Sequence, residues 1–346
     1  MEGKMKAILK TKEEKGAELQ EVDIPDYGPE QILIKVESTS ICGTDLHIYE
    51  WNKWAQENIN VPQIMGHEVA GEVIEIGDRV ENIEKGDFVS AETHIPCGHC
   101  YQCKTGKMHI CNNMRILGVH KDGVFAEYAV IDAVDVWKND PSIPAEFASL
   151  QEPMGNAIDT IAAGDVAGKN ILITGAGPAG LISVSVAKAF GATQIIVSEP
   201  NDYRRDIAKE MGADIVVNPI EEDLGSIVYE ATEGIGVDFV AEMSGNETAL
   251  NQALKLITAG GSMALLGLPD DKVNIDLTND VIFKGIDLIG VTGRKMFDTW
   301  YTAKRLLKSG RVDLEPVITH RFSLEEFEKG MELMESGNCG KIILKP

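Results

Sequence analysis

Over the first ~150 residues the chain alternates apolar and polar side chains in short runs. Gln31-Ile32-Leu33-Ile34-Lys35-Val36, Gly71-Glu72-Val73-Ile74-Glu75-Ile76 and Phe125-Ala126-Glu127-Tyr128-Ala129-Val130 are three of them. A period of two gives a strand one face for a core and one for water, and glycines and charged turns separate the runs. No long helical period occurs before about Ala157, so this part predicts a mainly antiparallel β domain.

From Asn170 strand and helix patterns alternate strictly. Ile171 to Thr174, Leu181 to Phe190, Gln194 to Ser198, Tyr203 to Met211 and Ile215 to Val217 predict strand, helix, strand, helix, strand. Further strands are expected at Val237 to Glu242, Ser262 to Leu266 and Leu288 to Val291. Such a series builds a parallel, doubly wound sheet. A helix over roughly Phe297 to Leu307 comes next, then a strand, a helix opened by the capping box Ser323-Leu324-Glu325-Glu326, and a last strand from Lys341 to Leu344. The fold class is therefore α/β with two domains, as a length of 346 residues also suggests.

Composition narrows the functions. With 44% apolar and 25% charged residues the chain is an ordinary globular one. Its 55 acidic against 32 basic residues give a formal charge of -23, which argues against a nucleic acid or an anionic membrane as partner. Met1 to Gly16 mixes Lys and Glu without the apolar stretch of a signal peptide, and no segment reaches the ~18 apolar residues of a membrane span, so a cytoplasmic protein is expected. Four of the six cysteines fall within fifteen residues, which in a reducing compartment points to metal before disulfides.

Gly175-Ala176-Gly177-Pro178-Ala179-Gly180 follows an apolar strand and opens a helix, the context in which G-x-G-x-x-G marks a dinucleotide site. Gly175 makes the turn, Gly177 lets the backbone approach a pyrophosphate, and Gly180 permits close helix–sheet packing. Glu199, nineteen residues on, suits a ribose diol and repels a 2′-phosphate, favouring NAD over NADP, while Arg204 and Arg205 behind it weigh the other way. FAD is a weaker alternative, because its fingerprint usually opens a chain. Leu266, Gly267, Leu268, Val291, Thr292 and Arg294 complete the expected cofactor contacts, and Arg294 could instead hold a substrate carboxylate.

Cys97-x2-Cys100-x2-Cys103-x7-Cys111 offers four thiolates from one loop, the donor set of a closed, structural zinc site. An iron–sulfur cluster fits less well, since its common spacing ends in x3 and Cys-Pro, and paired disulfides do not suit a cytoplasmic chain. His94, His99 and His109 nearby are expected at the surface, and Cys339 as an idle thiol. A second, dispersed set comprises Cys42-Gly43-Thr44-Asp45-Leu46-His47 and Gly66-His67-Glu68-x2-Gly71-x5-Gly77-x2-Val80. Catalytic zinc typically takes three protein ligands and keeps one position open.

In their order along the chain these motifs resemble the zinc-containing medium-chain dehydrogenases, and the resemblance spans nearly the whole sequence. Ile41 to Trp54, Glu152 to Asn156, Gly293 to Tyr301 and Ile318 to Phe322 are similar to the branch of that family acting on an amino acid. The resemblance implies a GroES-like catalytic domain of residues 1–155 and 295–346 around a Rossmann domain of 156–294, assembled as a homotetramer with two zinc ions per subunit. It implies oxidation of the 3-hydroxyl of L-threonine by NAD, with Thr44 taking the proton and passing it through the nicotinamide ribose to His47. Many relatives carry a cysteine where this chain has Glu152, so the implied catalytic ligands are Cys42, His67 and one or both of Glu68 and Glu152. The alternative for Glu68 is a place outside the ligand set, as a carboxylate that only orients the site. A polyol or butanediol dehydrogenase is the nearest rival reading. A non-catalytic zinc- and nucleotide-binding redox sensor is a rival of another class, but it would need neither Thr44 nor His47.

Overall fold

The protein is described by a computed structural model covering residues 3–346. Its contacts divide it into two units, Met1–Glu152 with Ile318–Pro346 and Pro153–Val317.

The first unit is built on a seven-stranded sheet with Gln31–Ile41 at its centre. That strand pairs antiparallel with Glu68–Ile76, Tyr128–Asp132 and Lys341–Lys345, so the C-terminal strand closes the same sheet as the early ones. Simple alternation fails in its middle, where Ile32, Leu33 and Ile34 are all buried, because a central strand is covered on both faces. One apolar cluster gathers Ile32, Ile34, Val69, Val73 and Ile131, and another gathers Ile41, Ile48, Phe125, Phe327 and Ile342. Phe125 belongs to the second cluster, and the strand expected to include it begins later, at Tyr128. Two helices, Gly43–Glu50 and Lys53–Asn58, occupy a stretch with no long helical period; at eight and six residues they are too short to reveal one.

Asp135 is 2% exposed, and neither of its carboxylate oxygens meets a hydrogen-bond donor. Burial, reinforced by Glu92 and Asp132, pushes its pKa up to about 8. Between the ordinary carboxylate range and pH 8 the folded chain therefore binds the extra proton, and stability falls as pH rises through that window. Asp135→Asn is expected to remove this slope: its melting temperature should match wild type near pH 5 and exceed it at pH 9, by an amount reflecting on the order of 2 kcal/mol. Parallel melting curves across that range would disprove it.

The second unit carries a six-stranded parallel sheet in the order Ile215–Val217, Gln194–Ser198, Asn170–Thr174, Val237–Glu242, Ile257–Leu265, Asp287–Gly290. The strand order reverses between Asn170–Thr174 and Val237–Glu242, the place where doubly wound sheets bind ligands. Helix Pro178–Ala189 follows the glycine motif with Gly177 as N-cap and proline in its first turn. Residues 295–317, expected in the catalytic domain, group with this unit. Lys295 N and Thr299 Oγ1 both donate to the Asp159 carboxylate, at 3.0 Å each, and Trp300 and Ala303 of helix Asp298–Lys308 are buried.

Candidate active site and metal centres

In the first unit the sheet register builds the dispersed centre. Ser40 lies opposite Glu68, so the turn after one strand and the residue opening the next bring Cys42 and His67 together. Cys42 caps helix Gly43–Glu50, and its N–H donates to Asp45 Oδ2 at 2.8 Å. Gly66 adopts φ +88°, and a Cβ there would lie 2.2 Å from the Phe125 ring, so only glycine admits the turn that presents His67. Ligand atoms of Cys42, His67 and Glu68 all lie within 4.8 Å of one another.

His67 is buried, and its Nδ1 has no hydrogen-bond partner; Asp45 Oδ1, also unpartnered, is 3.7 Å away. Burial opposes a charge on the ring, yet Asp45, Cys42 and Glu152 outweigh it and push the pKa up to about 10. A cluster that pulls so strongly on a proton has the field and the soft–borderline donor set for a divalent zinc ion. Glu68 is differently placed. Buried Lys341 donates to both of its oxygens, at 2.5 Å to Oε2, and Ser40 Oγ donates to Oε2 as well. Burial opposes the Lys341 charge, but Glu68, Cys42 and Glu152 hold its pKa above the ordinary value. Glu152, in the first turn of helix Gln151–Ala162, is buried, accepts from Thr93 Oγ1 at 3.0 Å and lies outside the tight group of three. Thr44 and His47 share helix Gly43–Glu50 one turn apart, Thr44 half-buried and His47 exposed. Sequence reasoning missed Asp45, Thr93 and Lys341; Lys341 sits in a strand that reads as core and carries no motif.

The four-cysteine loop folds back on itself. Cys100 Sγ lies 3.5 Å from Cys103 Sγ and 3.7 Å from Cys111 Sγ, and all four sulfurs fall within 4.8 Å with no disulfide. The backbone N–H groups of Cys97 and Asn113 donate to Cys111 Sγ at 3.3 Å each, and the His99 N–H, helped by the Cys100 N–H and the Asn113 side-chain amide, pushes the Cys97 thiol down to about 5. Amides aimed at sulfur favour the thiolate that zinc requires. His94, His99 and His109 lie outside this cluster; His94 is largely buried beside Glu92, at 3.4 Å, where a surface position was expected. Cys339 is buried against Leu333 and Met334.

In the second unit a cavity of about 500 Å³ is lined by Gly175, Gly177, Ser198, Glu199, Arg204 and Ser244, among others. A Cβ on Gly180 would lie 2.0 Å from Gly175 O, whereas one on Gly177 would meet nothing within 4 Å. The two glycines thus do different work. Gly177→Ala is expected to leave the melting temperature unchanged while raising the KM for NAD about tenfold, and Gly180→Ala to lower the melting temperature. An unchanged KM in Gly177→Ala would remove the pyrophosphate from this loop.

Glu199 accepts from Ala176 N at 2.6 Å and Asn201 N at 2.9 Å, leaving carboxylate lone pairs for a diol. Arg205 is drawn back to Glu199 O and Asp202, while Arg204 lines the cavity. Ala179, Leu266, Gly267, Leu268, Val291, Thr292 and Arg294 do not line it. Leu268 is 90% exposed, whereas Arg294 is 1% exposed, with Nη1 donating to Asn156 Oδ1 at 3.2 Å. Gly155 makes room for the Arg294 stem, since a Cβ there would lie 2.6 Å from Arg294 Cδ. Glu242, unsuspected from sequence, gathers the N–H groups of Ser244 at 2.9 Å and Gly245 at 3.0 Å and so shapes the cavity wall.

Comparison with known proteins bears on both units. Residues 28–144 match the alcohol dehydrogenase GroES-like domain, and residues 178–309 match the zinc-binding dehydrogenase domain. The chain is 57% identical to L-threonine 3-dehydrogenase of Pyrococcus abyssi over 99% of each sequence. The chain belongs to the zinc-binding dehydrogenases. The Bacillus subtilis L-threonine 3-dehydrogenase is 49% identical to this zinc-binding dehydrogenase over 99% of both chains. Among solved structures, 2R,3R-butanediol dehydrogenase from Bacillus subtilis superimposes with a TM-score of 0.90 at 29% identity, covering 99% of each chain. A zinc-binding dehydrogenase from Sinorhizobium meliloti bound to NADP reaches 0.92 at 29% identity, covering 99% of this chain and 100% of its own. This zinc-binding dehydrogenase accordingly has the medium-chain alcohol dehydrogenase fold, with a GroES-like and a Rossmann-like part.

Proposed function

We propose that the protein oxidises the 3-hydroxyl of L-threonine with NAD, giving L-2-amino-3-oxobutanoate, NADH and a proton. The observation that carries the reading is full-length identity of 57% to an L-threonine 3-dehydrogenase, in a chain whose Cys42–His67 centre is surrounded by buried carboxylates. The butanediol dehydrogenase reading rests on 29% identity to a structure with the same fold.

Cys42, His67 and Glu152 would hold the catalytic zinc, because the Glu68 charge is already matched by that of buried Lys341, with Ser40 donating to it as well. Bound there, zinc supplies a Lewis acid that lowers the pKa of the alcohol hydroxyl. Thr44 would accept the hydroxyl proton as it gives up its own, and His47, exposed on the same helix, would release a proton to solvent. Gly175, Gly177 and Glu199 would hold NAD, which would supply the hydride acceptor, and the Glu199 carboxylate disfavours NADP. Cys97, Cys100, Cys103 and Cys111 would hold a second zinc that fixes their loop.

A centre with one thiolate and one carboxylate is formally neutral with zinc bound, so it tolerates the substrate ammonium beside the reacting carbon. Glu152→Ala is accordingly expected to lower kcat/KM on L-threonine at least about tenfold more than on 2,3-butanediol. Equal losses on both substrates would assign Glu152 to metal binding alone.

We further assign a homotetramer. Among the described residues, strand Asp287–Gly290 ends its sheet with an unpaired edge, and Leu277, Ile282 and Phe283 are exposed nearby in sequence. No helix among the described residues is long and apolar enough to cross a membrane. Four cysteines whose sulfurs gather within 4.8 Å without forming a disulfide support a reducing cytoplasm.

A further inference from the structure

His47 is the group to which the proposed function gives the departing proton, and a role for its neighbour Asn52 rests on that reading. Helix Gly43–Glu50 ends at Trp51 in the left-handed region, φ 56°, and the next residue, Asn52, is the N-cap of helix Lys53–Asn58. The Asn52 side chain is thereby shared between two helices. Its Oδ1 accepts from Ala55 N at 3.0 Å, as an N-cap must, so the cap settles which arm of the amide points which way. The other arm, Nδ2, lies 2.9 Å from His47 Nδ1.

An amide NH₂ can only donate, so His47 Nδ1 can only accept. A neutral imidazole that accepts at Nδ1 carries its proton on Nε2. The Asn52 N–H also donates to His47 O at 3.3 Å, and the Trp54 ring stands 6.5 Å from the imidazole, tilted by 57°. Both flanks of the ring are therefore set by the short stretch 51–54.

We propose that Asn52 is a positioning residue that fixes His47 as its Nε2–H tautomer before each turnover. The lone pair on Nδ1 is covered by the Asn52 amide; a proton reaching that nitrogen displaces the amide, since two donors cannot face each other, and the ring then gives up its Nε2 proton to solvent, so one proton enters and one leaves. The helix cap and the proton exit are thus joined through one side chain. Nothing in the sequence separates Asn52 from an ordinary capping residue; the pairing exists only because the first helix ends one residue before the cap.

Two substitutions keep the cap and change the donor. Serine caps well but has no amide arm, and aspartate caps well while offering His47 an acceptor. In the full-length zinc-loaded protein, with ¹⁵N-labelled histidine and the His47 resonances assigned by their loss in His47→Gln, two-bond nitrogen–proton couplings report the tautomer directly. Wild type is expected to show Nε2–H above the imidazolium range, Asn52→Ser a mixture of tautomers, and Asn52→Asp an Nδ1–H or doubly protonated ring. An Nδ1–H ring in wild type, or the same tautomer in all three, would overturn the proposal. In kinetics, Asn52→Ser should lower kcat on L-threonine about tenfold with little change in KM or melting temperature, and should cost nothing further in a His47→Gln background. An additive loss in that background would make Asn52 merely structural. Full activity in His47→Gln with the tautomers behaving as stated would overturn the proton-exit reading and leave the positioning role standing.

Discussion

Replacing His67 by alanine is expected to lower turnover of L-threonine roughly a thousandfold and to reduce bound zinc from two ions per chain to one. Lewis-acid stabilisation of a developing alkoxide is worth several kcal/mol, and about 4 kcal/mol corresponds to three powers of ten in rate. The centre has little redundancy with which to absorb the loss. Cys42 and Glu152 would remain, one short of the three protein ligands a catalytic zinc takes, and Glu68 is bound by Lys341 and Ser40. His67 sits at the start of strand Glu68–Ile76, so the sheet should persist and far-ultraviolet dichroism should match wild type. A variant that kept both zinc ions and a tenth of the wild-type activity would show that the metal is held elsewhere.

Removing one thiolate from the four-cysteine loop should act on stability rather than chemistry. Cys100 Sγ lies 3.5 and 3.7 Å from two of the other sulfurs, so Cys100→Ser opens the cluster. The segment has little else to hold it: helix Tyr101–Lys104 is four residues long and buries none of them, and the next 3₁₀ turn, Met108–Ile110, buries none either. Structural zinc contributes folding free energy directly, and losing even ~4 kcal/mol in a domain of this size lowers the melting temperature by roughly 10 °C. Exposed Lys104 and Lys107 lie inside the loop, so limited trypsinolysis should cut there in the variant long before wild type. The KM for L-threonine measured at low temperature should stay within about twofold, because the loop supplies none of the groups assigned to substrate. An unchanged melting temperature and cleavage rate would reduce the cysteine cluster to a bystander.

The legible parts of this chain are those whose signal is local. Gln194–Ser198, Ile215–Val217 and Val237–Glu242 begin and end where their apolar runs do, since strands buried on both faces read as unbroken apolar segments. The Ser323 capping box opens a 3₁₀ turn, Leu324–Glu326, that leads into helix Phe327–Ser336, again a matter of four consecutive residues. The cysteine spacing and the glycine motif name their chemistry for the same reason. What stays hidden depends on long-range pairing. Lys341 meets Glu68 across 273 positions of sequence because the last strand joins the sheet beside Gln31–Ile41, and only that register turns an unremarkable lysine into the partner of a buried carboxylate. Asp45 reads as part of a turn, and its relation to His67 depends on the pairing of Gln31–Ile41 with Glu68–Ile76. Residues 295–317 group with the second unit because Lys295 and Thr299 find Asp159, a contact that periodicity does not register.

The substrate decides the matter most directly. Purified zinc-loaded protein should be given NAD with L-threonine and, separately, with 2R,3R-butanediol at equal concentration, and NADH formation followed by absorbance. The expected result is steady NADH production from L-threonine with a kcat/KM at least about a hundredfold above that for the diol, a gap of roughly 3 kcal/mol in transition-state binding. Faster oxidation of the diol, or no NADH from L-threonine in protein carrying two zinc ions per chain, would contradict it.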